Sequence, residues 1–523
     1  MRGDSPEPPR TSTPHPRRVL NPDLSPATAL AQLARHRPET VSIVADDGAV
    51  LTASRLHDAT VALAALLAAG GVLPGDRVVY AGRNSPAALL TLLASAHLGA
   101  VYVPLNFRLA ETEVRLALDH CTPHTVVVED ELGSLYAVAG RQVPVIVTAR
   151  DAVSAEAPAV VTPRRILGAD DLAVVMYTSG TSGRPKGVML THGNLWWSTR
   201  NIDEVFDTRD DDVTLAVAPM FHIGGLNAFT LRTLLRGGTV VLRRTFDAER
   251  TLDDLASTTI TSVFGVPAMY AAVARCERFA TADLSGVRAA IIGGAPTPPG
   301  LLERYLAQGL VLRPSWGMTE LAPAATYLPT PCLATQPGAV GVPLRYTRIR
   351  LVSPDTGEDV CEPGHTGELW VAGPQVTPGY WQDEQATRAA LTPDGWLRSG
   401  DLAVRDADGC LTLVGRCAEA INTGGEKVVP GEVERSLGEL AGVTEVVVVG
   451  APDPGWGETV VAVLECKDGV VPTLAEVREL AARTIARFKL PTRLLCVAEL
   501  PRTATGKVDR CAVKALASAG AEV

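Results

Sequence analysis

From Thr28 to about residue 340, short β-branched apolar runs alternate with Ala- and Leu-rich stretches of helical length. His57–Ala69 has helical composition, and VLPGDRVVYAG (72–82) reads as a turn followed by a strand. Pro86–Leu98 is again helical, Ala100–Val103 extended, Glu111–His120 helical and Thr125–Glu129 extended. The same strand signal recurs at Val174–Tyr177, Thr214–Ala218, Thr239–Arg243, Thr261–Phe264 and Arg288–Ile292. Continuous apolar strands separated by helices demand a mostly parallel sheet covered on both faces, because such strands have no polar side to give to water. Beyond residue 340, Gly, Pro and short strands (GELWVAGPQV, GYW, CLTLVGR) predict a smaller β-rich unit. Past Arg416 a self-contained α+β pattern follows, with helices over Gly431–Leu440 and Leu474–Phe488 and strands over Glu445–Gly450 and Thr459–Glu465. A chain of 523 residues is too long for one core, so several units are required. The boundaries read as a tail over 1–28, a large α/β unit with its β-rich part over 29–416, and a small unit over 417–523.

Charge and composition exclude several function classes. A net charge of −10 argues against a nucleic-acid footprint. The longest apolar stretch, Pro86 to Leu105, reaches spanning length, but His97, the Gly99 break and its β-rich end fit a buried helix running into a buried strand. The first 28 residues carry Arg, Pro, Ser and Thr without an apolar core, which suits a disordered tail rather than a signal peptide. Nine cysteines lie scattered without a C-x-x-C pair, so neither zinc site nor disulfide framework is expected, and a reducing cytoplasm is. The Ala, Arg, Gly and Pro usage suits a GC-rich bacterial source.

The densest chemical signal is Tyr177-Thr-Ser-Gly-Thr-Ser-Gly-Arg-Pro-Lys186-Gly187, which leaves the apolar run AVVMY and ends near a helix start at Thr191-His-Gly-Asn. Gly180 and Gly183 let backbone N–H groups approach an anion, while Thr178, Ser179, Thr181, Ser182 and Lys186 supply donors around it. Chemically this is a phosphate cradle, and it lacks the G-x-x-x-x-G-K-[ST] spacing of a Walker A loop.

TSGTSGRPKG resembles the phosphate-binding signature of the adenylate-forming superfamily: acyl-CoA synthetases, peptide-synthetase adenylation domains and firefly luciferase. Further collinear segments carry the same resemblance from about residue 30 to 510. They are LGAVYVPLNFRL (98–109), Pro219-Met-Phe-His222, Gly293-Gly-Ala-Pro296, Ser315-Trp-Gly-Met-Thr-Glu320 and GELWVAGPQVTPGYW (367–381). Trp396-Leu-Arg-Ser-Gly-Asp401-Leu, Val414-Gly-Arg416, Gly424-Gly-Glu-Lys-Val428 and Pro501-Arg-Thr-Ala-Thr-Gly-Lys507 follow in order. The resemblance implies a two-step ligase using ATP, Mg²⁺ and coenzyme A, and a small C-terminal domain that moves between the steps.

On that resemblance Thr319 and Glu320 face the triphosphate, Glu320 as a hard oxygen ligand for Mg²⁺. Trp316, where relatives have Tyr or Phe, offers a face to adenine, flanked by Gly294, Ala295, Pro296, Gly317 and Met318. Asp401 would accept ribose hydroxyls, and Arg416 would supply a donor fork at the domain boundary. Lys507 would bridge substrate carboxylate and α-phosphate when the small domain docks, and Gly424 and Gly425 would let pantetheine pass. Phe221, Gly224, Gly225, Gly293 and Ala322 would line the acyl pocket, with His222 flanking it as a catalytic residue. The glycines suggest room for a long, branched or polycyclic acid, and no aspartate follows Phe221 to hold an α-ammonium, which favours a non-amino acid. The hinge position, normally Asp or Lys, is Ala418, so the balance between half-reactions is in question. Rival readings are a specialist in one half-reaction, a ligase with an acyl carrier protein as acceptor, and a non-catalytic acyl-adenylate-binding protein.

Overall fold

The computed structural model describes residues 22–139, 145–154, 164–178, 186–419, 421–423, 426–438, 440–453, 457–466, 470–485, 487–502 and 508–519. Helix Pro26–His36 opens it, capped by the Ser25 hydroxyl, with proline in the first turn and Ala27 and Leu30 in the core. The tail expected through residue 28 therefore ends earlier. Ser25-Pro26 is itself a helix-start signal, a side-chain acceptor followed by a residue with fixed φ.

Two sheets dominate the large unit. One has seven strands in the order Leu312–Ser315, Ala289–Gly293, Ser262–Gly265, Val213–Ala216, Thr239–Leu242, Val41–Val44, Val50–Thr52. All its pairings are parallel except that of the last two strands. The other has six strands, Val145–Thr148, Thr125–Val128, Arg77–Ala81, Val101–Leu105, Leu172–Thr178 and Lys186–Thr191, parallel except for the final pair. Helix Pro86–Leu98 is buried along almost its whole length, and Gly99 in the left-handed region (φ 74°) ends it before the strand at Val101. The long apolar stretch is thus a helix and a strand of the core, as its composition implied. Among the described residues no helix is long and apolar enough to cross a membrane.

The β-rich unit is an antiparallel sheet of Arg348–Val352, Thr366–Ala372, Leu397–Arg405 and Leu411–Arg416. A further sheet starts at Ile421 and pairs Val443–Asp453 antiparallel with Gly457–Cys466, which in turn lies parallel to Arg493–Val497. The two apolar clusters built on this sheet draw only on residues from Ile421 onward. The helix expected over Leu474–Phe488 stops at Ala481, and a short 3₁₀ turn, Arg487–Lys489, follows.

An ionic core ties the seven-stranded sheet to its helices. Arg232, on helix Thr230–Arg236, has no exposed side-chain surface; its Nε donates to Asp203 at 2.5 Å and its Nη1 to Asp212 at 3.1 Å. Arg288 donates to the other Asp212 oxygen at 2.7 Å. Buried charges persist only when paired and hydrogen-bonded.

Candidate active site

Of four neighbouring parallel strands of the seven-stranded sheet, three lead into residues singled out from the sequence. Val213–Ala216 leads to Phe221 and His222, Ala289–Gly293 into Gly294, Ala295 and Pro296, and Leu312–Ser315 into Trp316, while the fourth, Ser262–Gly265, carries Phe264. Carboxyl ends of parallel strands are where open α/β sheets hold ligands, because the connecting loops diverge there. Gly294 needs its positive φ (82°) to turn the chain away from the strand, and Gly294 and Pro296 are exposed.

The six-stranded sheet contributes from the other side. Leu172–Thr178 and Lys186–Thr191 pair antiparallel with Thr178 opposite Lys186, so the glycine-rich segment joins two strands. The sequence suggested a strand running to a helix there; the helix, His192–Asp203, begins only after this second strand. Its start is as expected, with the Thr191 hydroxyl and the Asn194 side chain reciprocally capping it. Ser179, Gly180, Thr181 and Ser182 lie outside the described residues, as do Gly424, Gly425 and Lys507. Arg502 and Val508 pair across the segment that carries Lys507.

Glu320 sits on a 3₁₀ turn, Thr319–Leu321, and is 6% exposed. The Tyr380 hydroxyl donates to its Oε1 at 2.8 Å, and the Lys186 ammonium lies 5.3 Å from the Tyr380 ring centroid. Burial pushes the Glu320 carboxyl above the ordinary range, opposed by the Tyr380 hydrogen bond and the charges of Lys186 and Arg416. Tyr380 is held in turn. Asn194 donates to Pro374 O and Val376 O at 3.0 and 2.8 Å, Thr377 N–H donates to Glu320 O at 2.8 Å, and Trp381 N–H to Gly187 O at 2.7 Å. The phosphate-loop lysine and the acidic residue thus meet through a tyrosine that sequence reasoning did not single out, although it lay in the quoted GYW.

Trp316 and Asp401 meet directly, the indole N–H donating to Asp401 Oδ2 at 2.9 Å. Arg416, paired opposite Asp401 in the antiparallel sheet, donates from Nε to Oδ1 at 2.8 Å. Trp316 is 7% exposed and packs with Leu321, Ala325, Leu351 and Leu369. The open ring face assigned to it from the sequence is therefore largely covered in this structure, since apolar neighbours take most of its surface. Gly317 faces the turn that follows: a Cβ there would meet Pro323 O at 1.9 Å. Thr319 and Met318 are half-buried beside it.

The pocket assignments need correction. A Cβ on Gly225 would lie 2.3 Å from Pro219 O, and one on Gly293 2.8 Å from Ser315 O. On Gly224 it would lie 2.4 Å from the Phe264 ring. These glycines allow chain and ring to approach; the volume they leave is already filled, so they do not open space for a polycyclic acid. Ala322 is 0% exposed in the core, its carbonyl accepting from Asn227 Nδ2 at 2.7 Å. Phe221 packs edge-on to Phe107 at 5.7 Å, while His222 is exposed and precedes the first residue of helix Ile223–Asn227. Two buried or half-buried side chains went unrecognised. Phe264 fills the space at Gly224. Asn84 accepts from Met220 N–H at 2.9 Å and donates to Ala218 O at 2.9 Å, fixing the segment before Phe221.

Comparison with known proteins agrees with this geometry. The AMP-binding enzyme family matches residues 30–381, and the AMP-binding enzyme C-terminal domain matches 432–507. The chain belongs to the AMP-binding enzyme family. A feruloyl-CoA synthase from an Amycolatopsis species is 41% identical over 91% of this chain and 95% of its own length. An indoleacetate–CoA ligase from Aromatoleum aromaticum is 38% identical over 87% and 91% respectively. The ATP-bound crystal structure of MatB from Rhodopseudomonas palustris superposes with a TM-score of 0.85 at 30% identity, covering 94% of this chain and 98% of that one. The enzyme class is that of the AMP-forming acyl-CoA ligases.

Proposed function

We propose that this member of the family activates a flat aromatic carboxylic acid as its acyl-AMP and passes the acyl group to the thiol of CoA. The observation carrying the acid class is the Phe264 ring seated on Gly224 at the carboxyl end of its strand, with one edge 3.9 Å from a Cβ position on Gly293. A planar wall favours a planar substrate by offset stacking. The relatives named for feruloyl and indoleacetate substrates, both aromatic, support the same class.

In the first half-reaction a carboxylate oxygen attacks the α-phosphorus of ATP; the new O–P bond forms as the bond to pyrophosphate breaks. Lys186 and the loop before it would hold the leaving phosphates, and Lys507 would neutralise charge at the reacting centre. Asp401 would hold the ribose hydroxyls, with Ala295 and Pro296 beside the base. Glu320 fits an Mg²⁺ brought by the triphosphate: it is a hard oxygen ligand, and Mg²⁺ ordinarily takes one or two carboxylates plus substrate phosphates. Among the described residues no cluster of three His, Cys, Asp or Glu side chains could hold a metal by itself. When bound, the ion would neutralise phosphate charge; Tyr380 keeps the Glu320 carboxylate oriented through its 2.8 Å hydrogen bond. In the second half-reaction the thiol sulfur attacks the acyl carbon, AMP leaves with the C–O electron pair, and the thiol proton passes to solvent or base. Gly424 and Gly425 would border the pantetheine path after rotation about Ala418, the boundary we place between residues 416 and 418.

The test is product analysis with CoA and ATP across cinnamic, indole-acetic, benzoic, medium-chain aliphatic and sterol-derived acids. Aryl thioesters in preference to the others support the reading. A preference for an aliphatic or polycyclic acid rejects it and leaves the ligase class intact.

A further inference from the structure

We infer that Trp316 is a positioning residue for Asp401, holding the carboxylate aimed at the ribose diol through both half-reactions. This rests on the ribose role proposed for Asp401, and its content is what keeps that carboxylate in place. Asp401 is 7% exposed, and a carboxylate so nearly buried needs fixed donors to satisfy and orient it. Among the described residues it has two side-chain donors, of unequal permanence. Arg416 reaches it at 2.8 Å from the paired strand, but more than half of the Arg416 side chain is in solvent, where water competes for its donors. Trp316 is the permanent one. Its indole N–H donates to Oδ2 at 2.9 Å, and its backbone is gripped on both sides: N–H to Thr326 Oγ1 at 3.2 Å, carbonyl from Ala325 N–H at 2.9 Å. The ring is locked among Leu321, Ala325, Leu351 and Leu369.

A phenol or phenyl at this position has no donor at the same place on the ring, so the substitution to Trp exchanges an open stacking face for a buried anchor. With Oδ1 and Oδ2 each taking one protein donor, the remaining lone pairs of the carboxylate are left to the two vicinal hydroxyls. Trp316 should therefore govern discrimination at the sugar, while selectivity for the base should depend on it little.

Equilibrium binding of AMP, 2′-deoxy-AMP and 3′-deoxy-AMP to the full-length chain, by calorimetry, tests this without knowledge of the acid. In Trp316→Phe the AMP affinity falls about tenfold, as expected for one hydrogen bond to a charged group, while the deoxy nucleotides lose much less, so the ratio collapses. In an Asp401→Ala background the same substitution adds little further loss. Unchanged AMP/deoxy-AMP ratios, or losses that simply add in the double variant, overturn the inference. A changed preference for AMP over GMP with an intact sugar ratio does so too, by making the ring a base platform. Should Trp316→Phe fold poorly, ¹⁵N-tryptophan spectra of Asp401→Ala provide the second reading. One of the seven indole N–H resonances must shift upfield as its acceptor is lost, and no shift refutes the bond. If the unsubstituted protein binds no adenine nucleotide, the ligase reading falls first and this inference with it.

Discussion

Gly225→Ala places the argument about the acyl side of the site under direct strain. The new Cβ would stand 2.3 Å from the carbonyl oxygen of Pro219 and 2.8 Å from that of Ala218. Such contacts do not occur below 3.0 Å, so helix Ile223–Asn227 and the segment carrying Phe221 and His222 must separate by about 0.7 Å. Both carbonyls are in use, Pro219 O accepting His222 N–H at 3.1 Å and Ala218 O accepting from Asn84 at 2.9 Å, so the movement strains bonds that fix the segment. Overpacking against backbone costs about 1–3 kcal/mol, because no rotamer change relieves it. That corresponds to a fall in Tm of roughly 2–10 °C. A misplacement approaching 1 Å beside the reacting carboxylate lowers kcat/KM for the acid by about 10- to 100-fold, with KM for ATP little changed. Gly224→Ala makes the contrast, since its Cβ meets the tip of the Phe264 ring, which can turn; it should shift acid preference more than stability. Thermal melts and pyrophosphate release with acid and ATP varied separately measure both. A Gly225→Ala protein with the parental Tm and kcat/KM refutes the close-approach account.

Asp212→Ala leaves Arg232 buried with one partner fewer, and should lower unfolding stability by about 3–5 kcal/mol in urea titrations; a loss below about 1 kcal/mol contradicts the role given to this ionic core. His192 is 2% exposed, with neither ring nitrogen hydrogen-bonded among the described residues, and burial holds its pKa down at about 4 despite the opposing charges of Asp171 and Asp23. Its folded value lies below the ordinary 6.5, so the unfolded chain takes up the proton first. Stability from this group is complete above pH 6.5 and is lost as pH falls toward 4, by about 3 kcal/mol in all. The difference between the parent and His192→Asn should show that slope between pH 6.5 and 4, and a flat difference removes the idea. For the hinge, Ala418→Asp should change the ratio of acyl-AMP formation to thioester formation, measured separately; equal ratios in both proteins would mean that residue 418 has no such influence.

Much of the site was legible because it rests on motifs whose chemistry is local. A capping box at Thr191–Asn194, a left-handed glycine at 99 and strands of β-branched residues each follow from neighbours in sequence. Asp401 and Arg416 were named from separate motifs, and the antiparallel register brings them face to face. What the sequence withheld depends on contacts between distant segments. The volumes beside Gly224, Gly225 and Gly293 look free until Phe264, Pro219 and Ser315 are placed in them. Tyr380 and Trp316 gain their roles only through partners 60 and 85 positions away. Asn84, between Arg83 and Ser85, has the look of a turn residue until its bonds to Ala218 and Met220 are seen.

The central claim is that this chain forms an acyl-AMP from ATP and a carboxylic acid and then discharges it to CoA. Exchange of labelled pyrophosphate into ATP, without CoA, over a panel of aromatic, aliphatic and polycyclic acids tests its first half most directly. The account predicts exchange that depends on an aromatic acid and disappears in Glu320→Ala, with AMP release becoming rapid once CoA is added. No exchange with any acid, together with no thioester from preformed acyl-AMP and CoA, would contradict it.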